Sequence, residues 1–141
     1  MKLLTWQARR FGWKRFERSM PDAPDLPDEE AEVSVQDAVV CFLHAEQRDE
    51  DPEQRARAFR KTLKHLKWLA NKRDFKTIVL HSFAHLGAEN AAPDFTREFM
   101  AELATRLEST DYVVRQTPFG WFCEWDLAVY GESLAKVWKE V

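Results

Sequence analysis

Glycine is scarce in this chain, four residues in 141, and no glycine-rich strand-to-helix fingerprint of the dinucleotide-binding kind is present. Cysteine is scarcer still. Cys41 and Cys123 form no CxxC, and the four histidines, His44, His65, His81 and His85, lack zinc-finger spacing with them, which argues against a structural metal site. No cofactor is expected. Long apolar runs are missing, as is a signal-like apolar stretch after Met1, so the expectation is a soluble, cytoplasmic protein of a reducing compartment with no membrane association. An excess of positive charge is missing too. The formal net charge is −3, and no global basic field announces a nucleic-acid binder.

What is present is enough apolar material for a core. Hydrophobic residues make up 45% of the chain, and this length supports one domain over residues 1–141. The charge is unevenly spread. Lys2, Arg9, Arg10, Lys14, Arg15 and Arg18 crowd the N-terminus, a second basic set runs from Arg55 to Lys76, and acids concentrate between Asp22 and Glu53.

Along the chain, Met1–Leu4 followed by Trp6, Phe11, Trp13 and Phe16 predicts a first strand and a second one joined near Gly12. Residues 20–32, MPDAPDLPDEEAE, hold three prolines and six acids and predict an exposed acidic connector, neither helix nor strand. AVVCFLHAE, residues 38–46, reads as a buried strand. Asp51-Pro52 reads as N-cap and first position of a helix running to about Arg73, with Phe59, Leu63, Leu66 and Ala70 on one stripe. A short strand over 77–80 leads into HSFAHLG. Pro93 then opens a second helix carrying Phe95, Phe99, Leu103 and Leu107. Strands follow at 112–114 and 121–130, and a short helix over 132–140 closes the chain. The result is an α+β domain, a β-sheet covered mainly on one face by two long helices, with a short C-terminal helix.

Three features could carry chemistry. His85 lies in a loop just past a strand end, where a sheet commonly presents functional groups. His81, four residues earlier, does not share its face in a strand-to-loop segment, so HSFAH is no metal pair. In PFGWFCEWD, alternation groups Trp121, Cys123, Trp125, Leu127 and Val129 on one face, which reads Cys123 as a buried and inert thiol, and Cys41 more so. The basic face of the first helix, with Arg57, Arg60, Lys61 and Lys64, is either a solvated face or a track for a phosphate backbone.

SFAHLGAENAAP, the amphipathic helix after it, and TPFGWFCEWDLAVYGESLAK together resemble the N-terminal editing domain of archaeal threonyl-tRNA synthetases. That family carries FAHL at a strand end, a proline opening the next helix, and PFGYYK leading to GHPLAE. The resemblance is strongest over residues 76–136. It implies a fold like that of D-aminoacyl-tRNA deacylases, a homodimer, and hydrolysis of serine from mischarged threonine tRNA by water. It also implies a pocket built largely from main-chain groups around the tRNA 3′ end. Ala45, Glu46, Ser82, Phe83, Ala84, His85, Phe119, Gly120, Trp121, Phe122 and Cys123 would form that pocket, and the basic helix would hold the acceptor backbone. The protein is then expected to be a free-standing, trans-acting version.

The departures carry equal weight. Cys123 stands where the family has a pocket lysine. Gly131-Glu132-Ser133-Leu134-Ala135-Lys136 keeps only glycine, leucine and alanine of GHPLAE, and Gln7, Ala8 and Arg9 replace a histidine and an acid. The resemblance therefore opens a second reading of Cys123, as a pocket thiol paired with His85 that attacks the ester. It also leaves open that the site binds aminoacyl-tRNA or a nucleotide without hydrolysis, or takes an amino acid bulkier than serine.

Overall fold

A computed structural model describes residues 1–141. Its centre is β1, Lys2–Arg18, one strand of 17 residues with partners along both edges. On one side it pairs antiparallel with β2, Glu32–His44. On the other it pairs with β5, Trp121–Val129, over its outer half and with β6, Lys136–Glu140, over its inner half. Beyond β2 lie β3, Thr77–Ser82, and β4, Val113–Gln116, both parallel to their neighbours. The sheet is thus six-stranded and mixed, in the order β4-β3-β2-β1-β5 with β6 beside β1.

The parallel pairs require crossovers, which the two helices supply. α1, Pro52–Asn71, links β2 to β3, and α2, Pro93–Glu108, links β3 to β4. Asp51 caps α1 through its carboxylate, which accepts the N–H groups of Glu53 and Gln54 at 3.0 and 3.1 Å. Both helices cover the same face. Leu66, Leu69 and Ala70 of α1 and Phe99, Leu103 and Leu107 of α2 pack with Leu3, Val39, Cys41, Leu43, Ile78 and Leu80 of the sheet. Burial alone pushes the Cys41 thiol up to about 12.

The opposite face carries no helix. Phe11, Trp13, Val40, Phe42 and Val79 form a smaller cluster there. Asp37, at a positive φ of 49°, sits opposite Arg9, where the β1–β5 register also shifts. The strand changes face at this irregularity. Before it, Thr5 and Gln7 reach α1 by hydrogen bonds to His65 and to the Leu69 carbonyl; after it, Phe11 and Trp13 join the helix-free cluster.

Three sequence expectations are corrected. Gly12 joins no two strands. It lies inside β1, because Phe11 and Trp13 on either side pair with Val35 and Val33 on one flank and with Leu127 and Trp125 on the other. β2 begins at Glu32 rather than near residue 38. The C-terminal helix is absent: a single 3₁₀ turn at Ser133–Ala135 leads into β6, whose residues pair with Lys2–Trp6. The acidic connector contains one 3₁₀ turn, Asp28–Glu30, and is tied down by Arg15 and Arg18, which donate to the carbonyls of Leu26 and Ala23.

Candidate functional site

β2 and β3 end side by side, with Leu43 opposite Ser82, and the Phe83 N–H extends the ladder to the Leu43 carbonyl at 2.9 Å. The chain then turns across both strand ends through residues 83–92 to reach α2. Buried His44 fastens this loop. Its Nδ1 accepts the Leu86 N–H at 3.0 Å, which leaves Nε2–H to donate to the Glu89 carbonyl at 2.9 Å. Ala91 N–H donates to the Ala45 carbonyl, and Ala92 N–H to Glu50. Gly87 packs closely here: a Cβ would lie 2.6 Å from the movable Lys2 ammonium and 3.2 Å from the His44 ring.

A second wall comes from the PFG turn between β4 and β5. Gly120 takes a φ of +82°, a conformation that favours glycine. Its carbonyl accepts the N–H groups of Ser19 and Met20, and Trp121 Nε1–H donates to the Pro24 carbonyl at 3.1 Å. The acidic connector is thereby docked on the PFG turn. Arg97 of α2 lies over the Phe119 ring, 5.0 Å from its centroid.

Between these walls opens a cavity of about 490 Å³. Of the residues expected from the sequence, Ala45, Ser82, Phe83, Ala84, His85, Phe119, Gly120, Trp121, Phe122 and Cys123 all line it. Glu46 does not. Its carboxylate is taken by the Met1 ammonium, Lys2 and Arg48, each at 2.9 Å. Burial would push its pKa up, but these cations win and bring it down to about 2. Arg57, Arg60, Lys61 and Lys64 also lie outside the lining, exposed on α1. None of the four is in an ion pair, unlike Arg55, which pairs with Glu102.

The lining contains no lysine, arginine, aspartate or glutamate, and no group of three or more potential metal ligands comes together anywhere in the chain. His85 is exposed on its loop, its ring edge-on to Phe83 at 5.2 Å. Cys123 is half-buried, and burial raises its thiol above the ordinary range. That direction works against a thiolate. The main chain offers more. The N–H groups of Ala84, His85, Phe119 and Gly120, four residues of the lining, donate to no acceptor within the chain.

Sequence reasoning missed His81, His44, Thr117, Thr96 and Trp125, all of which line the cavity. His81 was legible in one respect: it alternates with Val79 at the end of an apolar strand. Its partner Thr117 is distant in sequence, and only the β3–β4 pairing brings the two together. The residues that depart from GHPLAE lie away from the cavity. Lys136 closes its own turn on the carbonyls of Tyr130 and Gly131, and Glu132 pairs with Arg73. Gln7, in turn, is held by Leu69 and Arg73.

The family model for the archaea-specific editing domain of threonyl-tRNA synthetase matches residues 1–141. The chain belongs to that family. Relatives include the threonine–tRNA ligases of Staphylothermus marinus, 30% identical over 142 residues, and Hyperthermus butylicus, 30% identical over 141 residues. The alignments cover 100% and 97% of this chain but 22% of each ligase, so the chain spans about a fifth of those relatives. Among solved structures, the c-Myc DNA unwinding element binding protein superposes with a TM-score of 0.63 at 11% identity, covering 100% of this chain and 99% of that one. That likeness concerns the fold alone. Membership implies a role in tRNA editing and translation fidelity, with tRNA as the interacting molecule. No helix is long and apolar enough to cross a membrane.

Proposed function

We propose that this editing-domain family member is an aminoacyl-tRNA deacylase that hydrolyses the ester of mischarged tRNA supplied in trans, with Ser-tRNA(Thr) as the substrate. The observation that carries the reading is a cavity without lysine, arginine or carboxylates, lined by residues whose main-chain N–H groups are unpaired. An aminoacyl ester is labile, so a positioned water and donors for the developing oxyanion are sufficient chemistry. Water attacks the carbonyl carbon and the C–O bond to the terminal ribose breaks. The water's proton ends on the released 3′ hydroxyl, and the amino acid leaves as the acid.

In this reading the N–H groups of Phe119 and Gly120 on one wall, or Ala84 and His85 on the other, stabilise the oxyanion, and His85 orients water or the aminoacyl group. Cys123 is a neutral wall where the family has lysine. Phe119, Trp121 and Phe122 offer aromatic surface to the terminal adenine. Arg57, Arg60, Lys61 and Lys64 carry the acceptor backbone in the cytoplasm, through salt-sensitive contacts.

We also propose that the helix-free sheet face is covered in a homodimer, because Trp125 and Trp138 remain 44% and 55% exposed there, an apolar exposure characteristic of interfaces. Light scattering that shows a monomer at micromolar concentration would remove this part. The function is tested by incubating Ser-tRNA(Thr) with the protein. Serine release well above the spontaneous rate is expected; tight binding without release would instead make the chain a non-catalytic aminoacyl-tRNA-binding module.

A further inference from the structure

His81, a buried polar residue of the cavity lining, is one the proposed chemistry does not use. The His81 ring is packed by Phe42 at 4.4 Å and by Trp125 at 5.0 Å between ring centroids, with Phe83 beyond at 6.1 Å. Its Nδ1 lies 2.7 Å from the Thr117 hydroxyl oxygen. Thr117 is itself buried, and its hydroxyl proton has no other acceptor within reach. A buried hydroxyl that accepted from Nδ1–H would leave that proton unpaired, which is unfavourable. Donation from the Thr117 O–H to Nδ1 places the ring proton on Nε2.

Nε2 has no partner within the chain. No buried side-chain nitrogen or oxygen in the structure lacks a partner, so Nε2 is open, and the space its residue lines is the cavity. Burial depresses the ring's pKa to about 4, so it stays uncharged near neutral pH.

We propose that His81 is a substrate-binding residue: its Nε2–H, held in that tautomer by Thr117, donates into the cavity to an uncharged oxygen acceptor of the bound aminoacyl group. The inference rests on the deacylase reading for its substrate, while the tautomer and the direction of donation rest on the structure of the free protein. A site built around a buried donor discriminates strongly against ligands that leave the donor unpaired. Two oxygens of a seryl ester qualify, the side-chain hydroxyl and the ester carbonyl, and the experiment separates them.

Kinetics of serine and alanine release from Ser-tRNA(Thr) and Ala-tRNA(Thr) are compared for wild type, His81→Phe, His81→Gln and Thr117→Val. His81→Phe keeps the aromatic packing and loses the donor; His81→Gln restores an N–H. The expected result is a roughly tenfold or larger fall in kcat/KM for His81→Phe, with a lowered melting temperature because the buried Thr117 hydroxyl loses its acceptor, substantial recovery of kcat/KM in His81→Gln, and an intermediate value for Thr117→Val. A fall confined to the seryl substrate places the acceptor at the side-chain hydroxyl. An equal fall on both places it at the ester carbonyl.

A second measurement needs no turnover. Long-range ¹H–¹⁵N correlation spectra of the free protein at pH 7 are expected to show His81 with Nε2 protonated and Nδ1 bare. A non-hydrolysable 3′-serylamido-3′-deoxyadenosine should shift the Nε2 resonance. Wild-type kcat/KM in His81→Phe, a protonated Nδ1 with bare Nε2, or an unmoved Nε2 on saturation with the analogue would each overturn the assignment. If the wild type releases no amino acid, the deacylase reading fails, and the analogue spectrum still decides the role of His81.

Discussion

Replacing Gly120 with alanine puts a methyl group where two costs meet. The backbone sits at φ +82°, and an L side chain in the left-handed region costs about 1–2 kcal/mol. The new Cβ would also lie 2.8 Å from the Ala23 Cβ and 3.4 Å from the Met20 Cβ, an overpacking that costs about 1–3 kcal/mol. The expected destabilisation is about 2–5 kcal/mol. An unfolding entropy of about 2 cal/mol/K per residue makes 1 kcal/mol worth about 3 °C in a chain of this size. A melt followed by circular dichroism should therefore fall by about 6–15 °C. Adding Ala23→Gly removes the nearest clashing atom, so the double variant should recover the steric share and keep the backbone share. The perturbation also reaches the cavity, because Ser19 and Met20 line it and hydrogen-bond to the Gly120 carbonyl. A melting temperature within about 3 °C of wild type would refute the reasoning, since the acidic connector would then yield rather than resist.

Asp51→Ala removes the acceptor of two helix N–H groups and should cost about 1 kcal/mol, or about 3 °C in the same melt. His65, buried against Thr5, has its pKa lowered from 6.5 to about 4 by burial and secondarily by Lys139. Its contribution is fully present above pH 6.5 and is lost as pH falls toward 4, because the unfolded chain takes up a proton that the folded ring refuses; chemical denaturation across that window should show a shallower fall in His65→Gln than in wild type. Glu46 gives a lower window. Its folded pKa of about 2 lies below the ordinary 4.5, so its stabilisation holds above pH 4.5 and disappears as pH falls toward 2, and Glu46→Gln should be less stable at neutral pH with a flatter acid limb.

The start of α1 was legible because its signal is local: Asp51 and Pro52 are a cap and a first helical position whatever the rest of the chain does. The close of the chain was not, because Leu134, Val137 and Trp138 have a spacing that a helix could also use. What decides for a strand is the free edge of β1, where Thr5 and Leu4 receive Val137 and Trp138. Gly12 misleads for the same reason, since cross-strand partners on both sides outweigh one residue's weak strand preference. Most of the cavity wall could be read from FAHL and PFG, which are contiguous segments. Glu46, adjacent to Ala45, could not be placed from its neighbours: the cations that claim it include the Met1 ammonium, 45 positions away. The His81–Thr117 pair, 36 positions apart, was hidden likewise.

The most direct measurement of the central claim follows release of labelled serine from Ser-tRNA(Thr) beside release of threonine from Thr-tRNA(Thr), using wild type, His85→Ala and Cys123→Ala. The account predicts selective loss of serine, a marked slowing in His85→Ala, and activity close to wild type in Cys123→Ala. Equal release from both tRNAs, release from neither, or a requirement for Cys123 would contradict it.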